Sequence, residues 1–172
     1  IYGNLIEKLR YGENPHQNSA IYSSKKNLDI KQIHGKKLSY NNYNDNLSAL
    51  TISKSFPKNE GTVIVKHANP CGVSIKKNQL NSYFSALSCD PVSAYGGIVS
   101  CNYKINKKLA LELSKVFLEV VIANGFEKNA IKILKKKKNL RLIDSCNLIS
   151  ENTNTFVSNF NSILIQSLDK IK

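Results

Sequence analysis

Apolar residues along the chain follow two patterns that alternate. Short runs rich in β-branched residues have the length and composition of buried strands, whereas apolar residues spaced three or four positions apart are typical of helices that bury one face. The runs predict strands at 62–65, 98–101, 118–123, 140–143 and 163–165. The spaced positions predict helices at 47–56, 81–87, 107–117 and 127–136. This alternation predicts an α/β layer fold with a largely parallel sheet.

Polar segments with turn-forming residues separate these predicted elements. Asn44 or Asp45 is the predicted N-cap of the first helix. Residues 68–72 are predicted as a turn after strand 62–65, and residues 147–161 as a polar connection of unassigned form. Open α/β folds place their sites at polar residues that follow a buried strand, so the segment after Val65 is the first candidate.

The charge of the chain is strongly positive but consists almost entirely of lysine. Its 172 residues include 25 Lys and Arg against 12 Asp and Glu, a formal net charge of +13, and only Arg10 and Arg141 are arginines. Proteins that bind nucleic acids more often use arginine for bidentate contacts, so the charge is weak support for such a partner. No apolar run reaches the length of a membrane-spanning helix. The absence of methionine indicates a piece of a longer protein.

The four cysteines do not predict a metal or disulfide framework. Cys71, Cys89, Cys101 and Cys146 form no C-x-x-C pair, which favours buried reduced thiols in a cytoplasmic protein. Zinc deaminases carry H-x-E and a later P-C-x-x-C. Here the residue two positions after His67 is asparagine, and the second cysteine position is serine. The sequence therefore predicts no zinc site.

Lys66 and His67 are the sharpest chemical feature of the sequence. Histidine titrates near neutral pH and can accept a proton from a weak nucleophile. A neighbouring ammonium group keeps the imidazole neutral and can stabilise negative charge that develops on an oxygen. The simpler alternative is a histidine that only ends a strand, and the pair by itself does not exclude it.

Two further segments suggest contacts to a ligand. Arg10 and Tyr11 precede Gly12 in a loop, and an arginine there can bind a phosphate through paired hydrogen bonds. The alternative is an ordinary surface arginine. Gly96 and Gly97 allow the backbone to approach a ligand closely, although paired glycines also occur in ordinary turns.

Four segments together resemble one enzyme family. They read LRYGENPHQ at 9–17, HGKKLSYNNYNDNLSAL at 34–50, VIVKHANPCGV at 63–73 and DPVSAYGGIV at 90–99. In this order and approximate spacing they resemble the start of the AICAR formyltransferase domain of the bifunctional purine biosynthesis proteins. The likeness continues through FLEVVIANG at 117–125 and fades after Asp144.

The resemblance implies a reaction in de novo purine biosynthesis. A formyl group passes from 10-formyltetrahydrofolate to the 5-amino group of the nucleotide AICAR, and the family pairs this step with an IMP cyclohydrolase. By motif, His67 is the proton acceptor and Lys66 stabilises the transition state. Arg10 and Tyr11 bind the nucleotide, with the arginine on its phosphate. Gly96 and Glu119 also match nucleotide contacts.

The resemblance also implies a fold and an assembly. It implies a three-layer α/β/α unit like that of cytidine deaminases, without zinc and with a mostly parallel sheet. Residues 1–172 match the first of two such units, so the cyclohydrolase domain, the second unit and the folate contacts lie outside this chain. The family forms homodimers with shared active sites, and neither a nucleic acid nor a membrane is an expected partner.

Two alternative functions remain open from the sequence. One is a non-catalytic remnant that keeps only the nucleotide-binding pocket. The other is a basic nucleic-acid-binding protein, which the scarcity of arginine and the lack of an aromatic stacking stripe disfavour.

Overall fold

Helices and strands alternate along the chain in the computed structural model, which describes residues 3–148, 155–159 and 161–167. The strands are β1 (Asn4–Lys8), β2 (Ala20–Ser23), β3 (Lys31–His34), β4 (Gly61–Lys66), β5 (Asn69–Ile75), β6 (Ile98–Cys101), β7 (Val120–Ala123), β8 (Arg141–Asp144), β9 (Thr155–Asn159) and β10 (Ser162–Gln166). The helices are α1 (Tyr40–Ser55), α2 (Gln79–Cys89), α3 (Lys107–Leu113) and α4 (Lys128–Leu134). In these ranges, no helix has both the length and the apolar character needed to cross a bilayer. The predicted α/β class is confirmed.

The central sheet is mixed, which corrects the predicted mostly parallel sheet. Its strand order is β3-β8-β7-β6-β4-β5. Only β6, β7 and β8 run parallel, whereas β3 pairs antiparallel with β8, and β4 pairs antiparallel with both β5 and β6. The parallel part follows the predicted strand–helix alternation. The β4–β5 pair is antiparallel because a two-residue turn joins these strands and reverses the chain direction.

Helices cover both faces of this sheet. Alternate residues of a strand point to opposite faces, so β4 contributes Val63 and Val65 to one core and Ile64 to the other. The first core also contains Ala49 and Leu50 of α1. The second contains the buried apolar residues of α2, α3 and α4. Helix α1 therefore covers one face of the sheet, and helices α2, α3 and α4 cover the other.

Most predicted strands of the central sheet are confirmed, but the predicted start of the first helix is wrong. The strands predicted from the runs at 62–65, 98–101, 118–123 and 140–143 correspond to β4, β6, β7 and β8. Helix α1 begins well before the predicted caps Asn44 and Asp45, because Ser39 caps it. The Ser39 hydroxyl accepts from the amide of Asn42, whose side chain accepts in return from the Ser39 amide.

Three hairpins contain strands that the hydrophobic pattern did not predict correctly. The segment at 68–72, predicted as a turn, is mostly strand β5. Strands β1 and β2 form a separate antiparallel pair. The predicted strand 163–165 lies in β10, which pairs with β9 and not with the central sheet. Of the polar connection 147–161, residues 149–154 and 160 lie outside the described residues.

Candidate active site

The turn between β4 and β5 carries the candidate base in an uncommon backbone conformation. Lys66 pairs with Asn69, so His67 and Ala68 are the two central residues of the turn. Both have positive φ, 53° and 57° respectively. Turns with two left-handed residues match the twist of paired strands, but they usually contain asparagine, aspartate or glycine. Histidine tolerates this region better than alanine does. The His67 side chain is exposed at the tip.

Lys66 is held against the loop that precedes β6. Its ammonium group donates a hydrogen bond of 2.7 Å to the carbonyl oxygen of Tyr95. Gly96 follows with φ +72°, and a Cβ added there would lie 4.0 Å from Lys66 Nζ. The backbone at Gly96 therefore lies close to the lysine ammonium group. Its predicted approach to a ligand stays a prediction.

Glu119 lies on the same edge of the sheet. The Gly96 amide donates to the carbonyl oxygen of Phe117, and the Glu119 amide donates to that of Gly97, at 2.8 and 3.0 Å. These bonds align the starts of β6 and β7, which follow the end of β4 in the strand order. Since neighbouring strands lie about 4.8 Å apart, the edge from β4 to β7 spans about 10 Å. Lys66, His67, Gly96 and Glu119 share this edge.

Asn42 is a site residue that sequence reasoning missed. It is 4% exposed, and its side-chain amide donates a 2.9 Å hydrogen bond to Glu119 Oε2. The available signal is weak, because a capping-box sequence has Glu or Gln three residues after the serine, whereas Asn42 stands three residues after Ser39. Helix α1 thus supports the acidic residue of the edge.

Arg10 and Tyr11 lie apart from this group. They follow β1 in a loop closed by a hydrogen bond from the Gly12 amide to the carbonyl oxygen of Gln17. The Arg10 guanidinium lies 5.6 Å from the centre of the Tyr11 ring. In the part of the chain that the structure describes, no hydrogen bond or ion pair joins Arg10 or Tyr11 to the sheet edge. Their role in the site stays a prediction.

The cysteines are all free, but their burial differs. Cys101 is buried and Cys71 half-buried, whereas Cys89 and Cys146 are exposed, so the predicted burial is wrong for the last two. Burial is the main reason that the pKa of the Cys71 thiol lies above its usual value. A raised pKa keeps this thiol protonated and a poor nucleophile. Across residues 3–148, 155–159 and 161–167, no group of three or more His, Cys, Asp or Glu side chains is placed to hold a metal ion.

The fold and the edge define an α/β protein with a lysine–histidine pair exposed where a buried strand ends. The family model described as "AICARFT/IMPCHase bienzyme" matches residues 1–172. The chain therefore belongs to the AICARFT/IMPCHase bienzyme family.

Individual relatives agree with this family. The chain is 49% identical over 141 residues to the bifunctional purine biosynthesis protein PurH of Thermoanaerobacter sp. (strain X514), covering 80% of this chain and 28% of that protein. It is 42% identical over 171 residues to PurH of Oceanobacillus iheyensis, covering 95% and 33%. PurH of Listeria monocytogenes is 46% identical over 145 residues, covering 81% and 28%. The chain spans about a third or less of the length of these relatives.

Proposed function

We propose that residues 1–172 form the first cytidine-deaminase-like unit of an AICAR formyltransferase domain in an enzyme of de novo purine biosynthesis. The reaction moves a formyl group from 10-formyltetrahydrofolate to the 5-amino group of AICAR, and the longer protein also has IMP cyclohydrolase activity. The observation that carries the proposal is the Lys66–His67 pair, set on a left-handed turn beside Gly96 in a chain of this family.

In this proposal His67 is the general base. The AICAR amine is conjugated with its imidazole ring and is a poor nucleophile, so removing a proton during attack lowers the barrier. The exposed position of His67 at the tip of the turn allows an amine to approach the imidazole. The proton moves from the nucleotide nitrogen to a ring nitrogen as the new carbon–nitrogen bond forms. The bond between the formyl carbon and the folate nitrogen then breaks, and that nitrogen takes up a proton, so tetrahydrofolate leaves.

Lys66 supplies the complementary positive charge. An ammonium group has three N–H donors, and the carbonyl oxygen of Tyr95 takes one of them. The other two can bind the formyl oxygen, where negative charge develops during attack. A donor held in position before the reaction lowers the barrier without reorganisation. The bond to Tyr95 provides this fixed position.

The nucleotide contacts extend along the edge from the catalytic pair. The backbone at Gly96 approaches the nucleotide, and the Glu119 carboxylate accepts hydrogen bonds from its ribose. The Asn42 side-chain amide donates to one oxygen of that carboxylate. The other oxygen can accept a hydrogen bond from a hydroxyl of the nucleotide ribose. The bound nucleotide reaches from the sheet edge to the loop after β1. There Arg10 binds its phosphate, and Tyr11 makes a further contact.

The folate donor supplies an activated formyl carbon. We place its main contacts in the second unit of the domain, outside this chain, and the complete site in a homodimer. We expect no zinc in this site, because the segment that starts at His67 lacks the acidic residue and the second cysteine of the zinc deaminases.

A kinetic assay of the natural full-length polypeptide tests this proposal. His67→Asn removes the base but keeps a residue that tolerates positive φ. It should lower kcat for formyl transfer by about 10²-fold or more with little change in the KM for AICAR. Arg10→Ala should mainly raise that KM. Formyl transfer at the wild-type rate in the His67 variant would overturn the assignment of the base. If the wild-type protein binds AICAR but transfers no formyl group, the non-catalytic alternative is favoured.

A further inference from the structure

The turn that carries His67 needs support from outside itself. Among the described residues, Asn59, His67 and Ala68 are the non-glycine residues with positive φ, and only His67 and Ala68 are consecutive. Alanine has no polar side chain to compensate for a left-handed conformation. Such conformations persist when the surrounding structure holds them, and they are concentrated at functional sites.

Helix α1 holds both polar groups of the Ala68 backbone. The Ala68 amide donates a 2.7 Å hydrogen bond to Asp45 Oδ1. The Ser48 hydroxyl donates a 2.7 Å hydrogen bond to the Ala68 carbonyl oxygen. Asp45 and Ser48 are three residues apart, so their side chains are neighbours on one face of the helix. Both side chains are half-buried, which protects these bonds from water.

The same helix also holds the acidic residue of the edge. Asn42, one helical turn before Asp45, binds Glu119. Helix α1 is itself anchored by its capping box and by Ala49 and Leu50, which are buried in the core on that face. A single rigid helix therefore contacts the turn after β4 and the residue before β7.

We propose that Asp45 and Ser48 are positioning residues for His67. Without them the turn relaxes to another backbone conformation, and the imidazole moves relative to Lys66 and to the bound amine. Catalysis is sensitive to displacements of about 1 Å, because the reacting atoms must be held in a near-attack geometry. The inference rests on the proposed function, since the displaced group is the proposed base.

Substitutions at Asp45 in the natural full-length polypeptide separate positioning from general stability. Asp45→Ala should lower kcat for formyl transfer by ~10-fold or more, with the KM for AICAR changed less than about threefold. Asp45→Asn keeps an oxygen that accepts from the Ala68 amide, so it should retain kcat within about threefold of wild type. Equal losses in the two variants would overturn a hydrogen-bond role, because only the charge would then matter.

Glycine at position 68 provides a rescue that a merely structural role does not predict. Glycine adopts positive φ without strain. Adding Ala68→Gly to Asp45→Ala should therefore recover kcat at least about threefold. Ser48→Ala should lower kcat as well, whereas Ser55→Ala should leave it unchanged, because the Ser55 hydroxyl bonds only within α1. Wild-type kcat in both Asp45→Ala and Ser48→Ala would overturn the proposal.

Amide hydrogen exchange tests the same contacts independently of the reaction. In the natural polypeptide, exchange of the Ala68 amide should become about 10-fold faster or more in Asp45→Ala than in wild type. If wild type transfers no formyl group, the proposed function fails while this measurement still reports on the turn. Unchanged exchange at Ala68 would overturn the support by α1 whatever the activity.

Discussion

Two lysines lie at opposite edges of the central sheet, Lys66 at the end of β4 and Lys54 in helix α1, and their surroundings differ. Lys66 lies where β4 ends and β6 and β7 begin, and it donates to one carbonyl oxygen. Lys54 lies near the edge where β6, β7 and β8 end. It donates to Asn124 Oδ1 at 2.6 Å and to the carbonyl oxygen of Ser145 at 3.2 Å. Burial is the main cause that lowers the pKa of Lys54 below its usual value.

The polar groups of the Lys54 edge bind one another. The Asn124 side chain also donates to the carbonyl oxygen of Asn102, and the Asn102 side chain accepts from the Gly61 amide. Ligands in open α/β sheets usually bind at the carboxyl ends of the parallel strands, which is this edge. Here those ends are closed by internal hydrogen bonds. Because β4 runs antiparallel to β6, Lys66 and His67 lie at the opposite edge. There the Lys66 ammonium group keeps N–H donors beyond the one that binds Tyr95.

Exchanging each lysine for methionine should give the largest contrast between the edges. Lys66→Met removes the proposed stabiliser of the formyl oxygen and should lower kcat by about 10²-fold in the full-length protein. Its free energy of unfolding should change by less than about 1 kcal/mol, because the lost hydrogen bond is exposed. Lys54→Met should instead lower the free energy of unfolding by about 1–3 kcal/mol and leave kcat unchanged. Steady-state kinetics and denaturant titration measure both effects, and a kcat loss confined to Lys54→Met would reverse the comparison.

A pair of glycines with positive φ gives a smaller contrast. Gly96 lies at the Lys66 edge with φ +72°, and Gly125 lies at the other edge with φ +96°. A Cβ would meet ordinary contacts at both, 3.5 Å from Phe117 and 3.6 Å from Lys104. Each glycine-to-alanine change should therefore lower the free energy of unfolding by about 1–2 kcal/mol through backbone strain.

Only the Gly96 substitution should alter nucleotide binding. A methyl group there stands between the backbone and a ligand near Lys66, so Gly96→Ala should raise the KM for AICAR several-fold. Gly125→Ala serves as the control for backbone strain alone. Equal KM values in the two variants would show that Gly96 has no role in nucleotide binding.

The smallest expected effect is a pH dependence of stability at Lys54. Between its lowered pKa in the folded protein and the ordinary value near 10.5, the unfolded chain binds more protons than the folded one. The free energy of unfolding should therefore rise with pH in this window, relative to Lys54→Met. Solvent screening of this partly exposed group keeps the gain below about 1 kcal/mol. Denaturant titrations at pH 8, 9 and 10 measure the difference, and a gain that falls with pH would contradict it.

Local sequence patterns predicted the elements in which packing and propensity agree. The run Val63, Ile64 and Val65 predicts a buried strand because β-branched residues favour that environment. The helix predicted at 107–117 begins where expected, because the Asn106 side chain caps α3 by accepting from the Leu109 amide. The strand β5 was missed because Pro70 and Gly72 are typical of turns. Proline is tolerated there because β5 is the last strand of the sheet.

The sequence by itself determined the family, the adjacent Lys66 and His67, and the glycines at 96 and 97, because short segments of the chain carry these features. Only the tertiary structure decided that β4 runs antiparallel to β6, and therefore which edge carries the pair. It also decided that α1 supports the site through Asn42, Asp45 and Ser48. Contacts between Asp45 and Ala68 join positions 23 residues apart along the chain. Such contacts depend on how the helix packs across the sheet, and no local pattern of residues encodes that geometry.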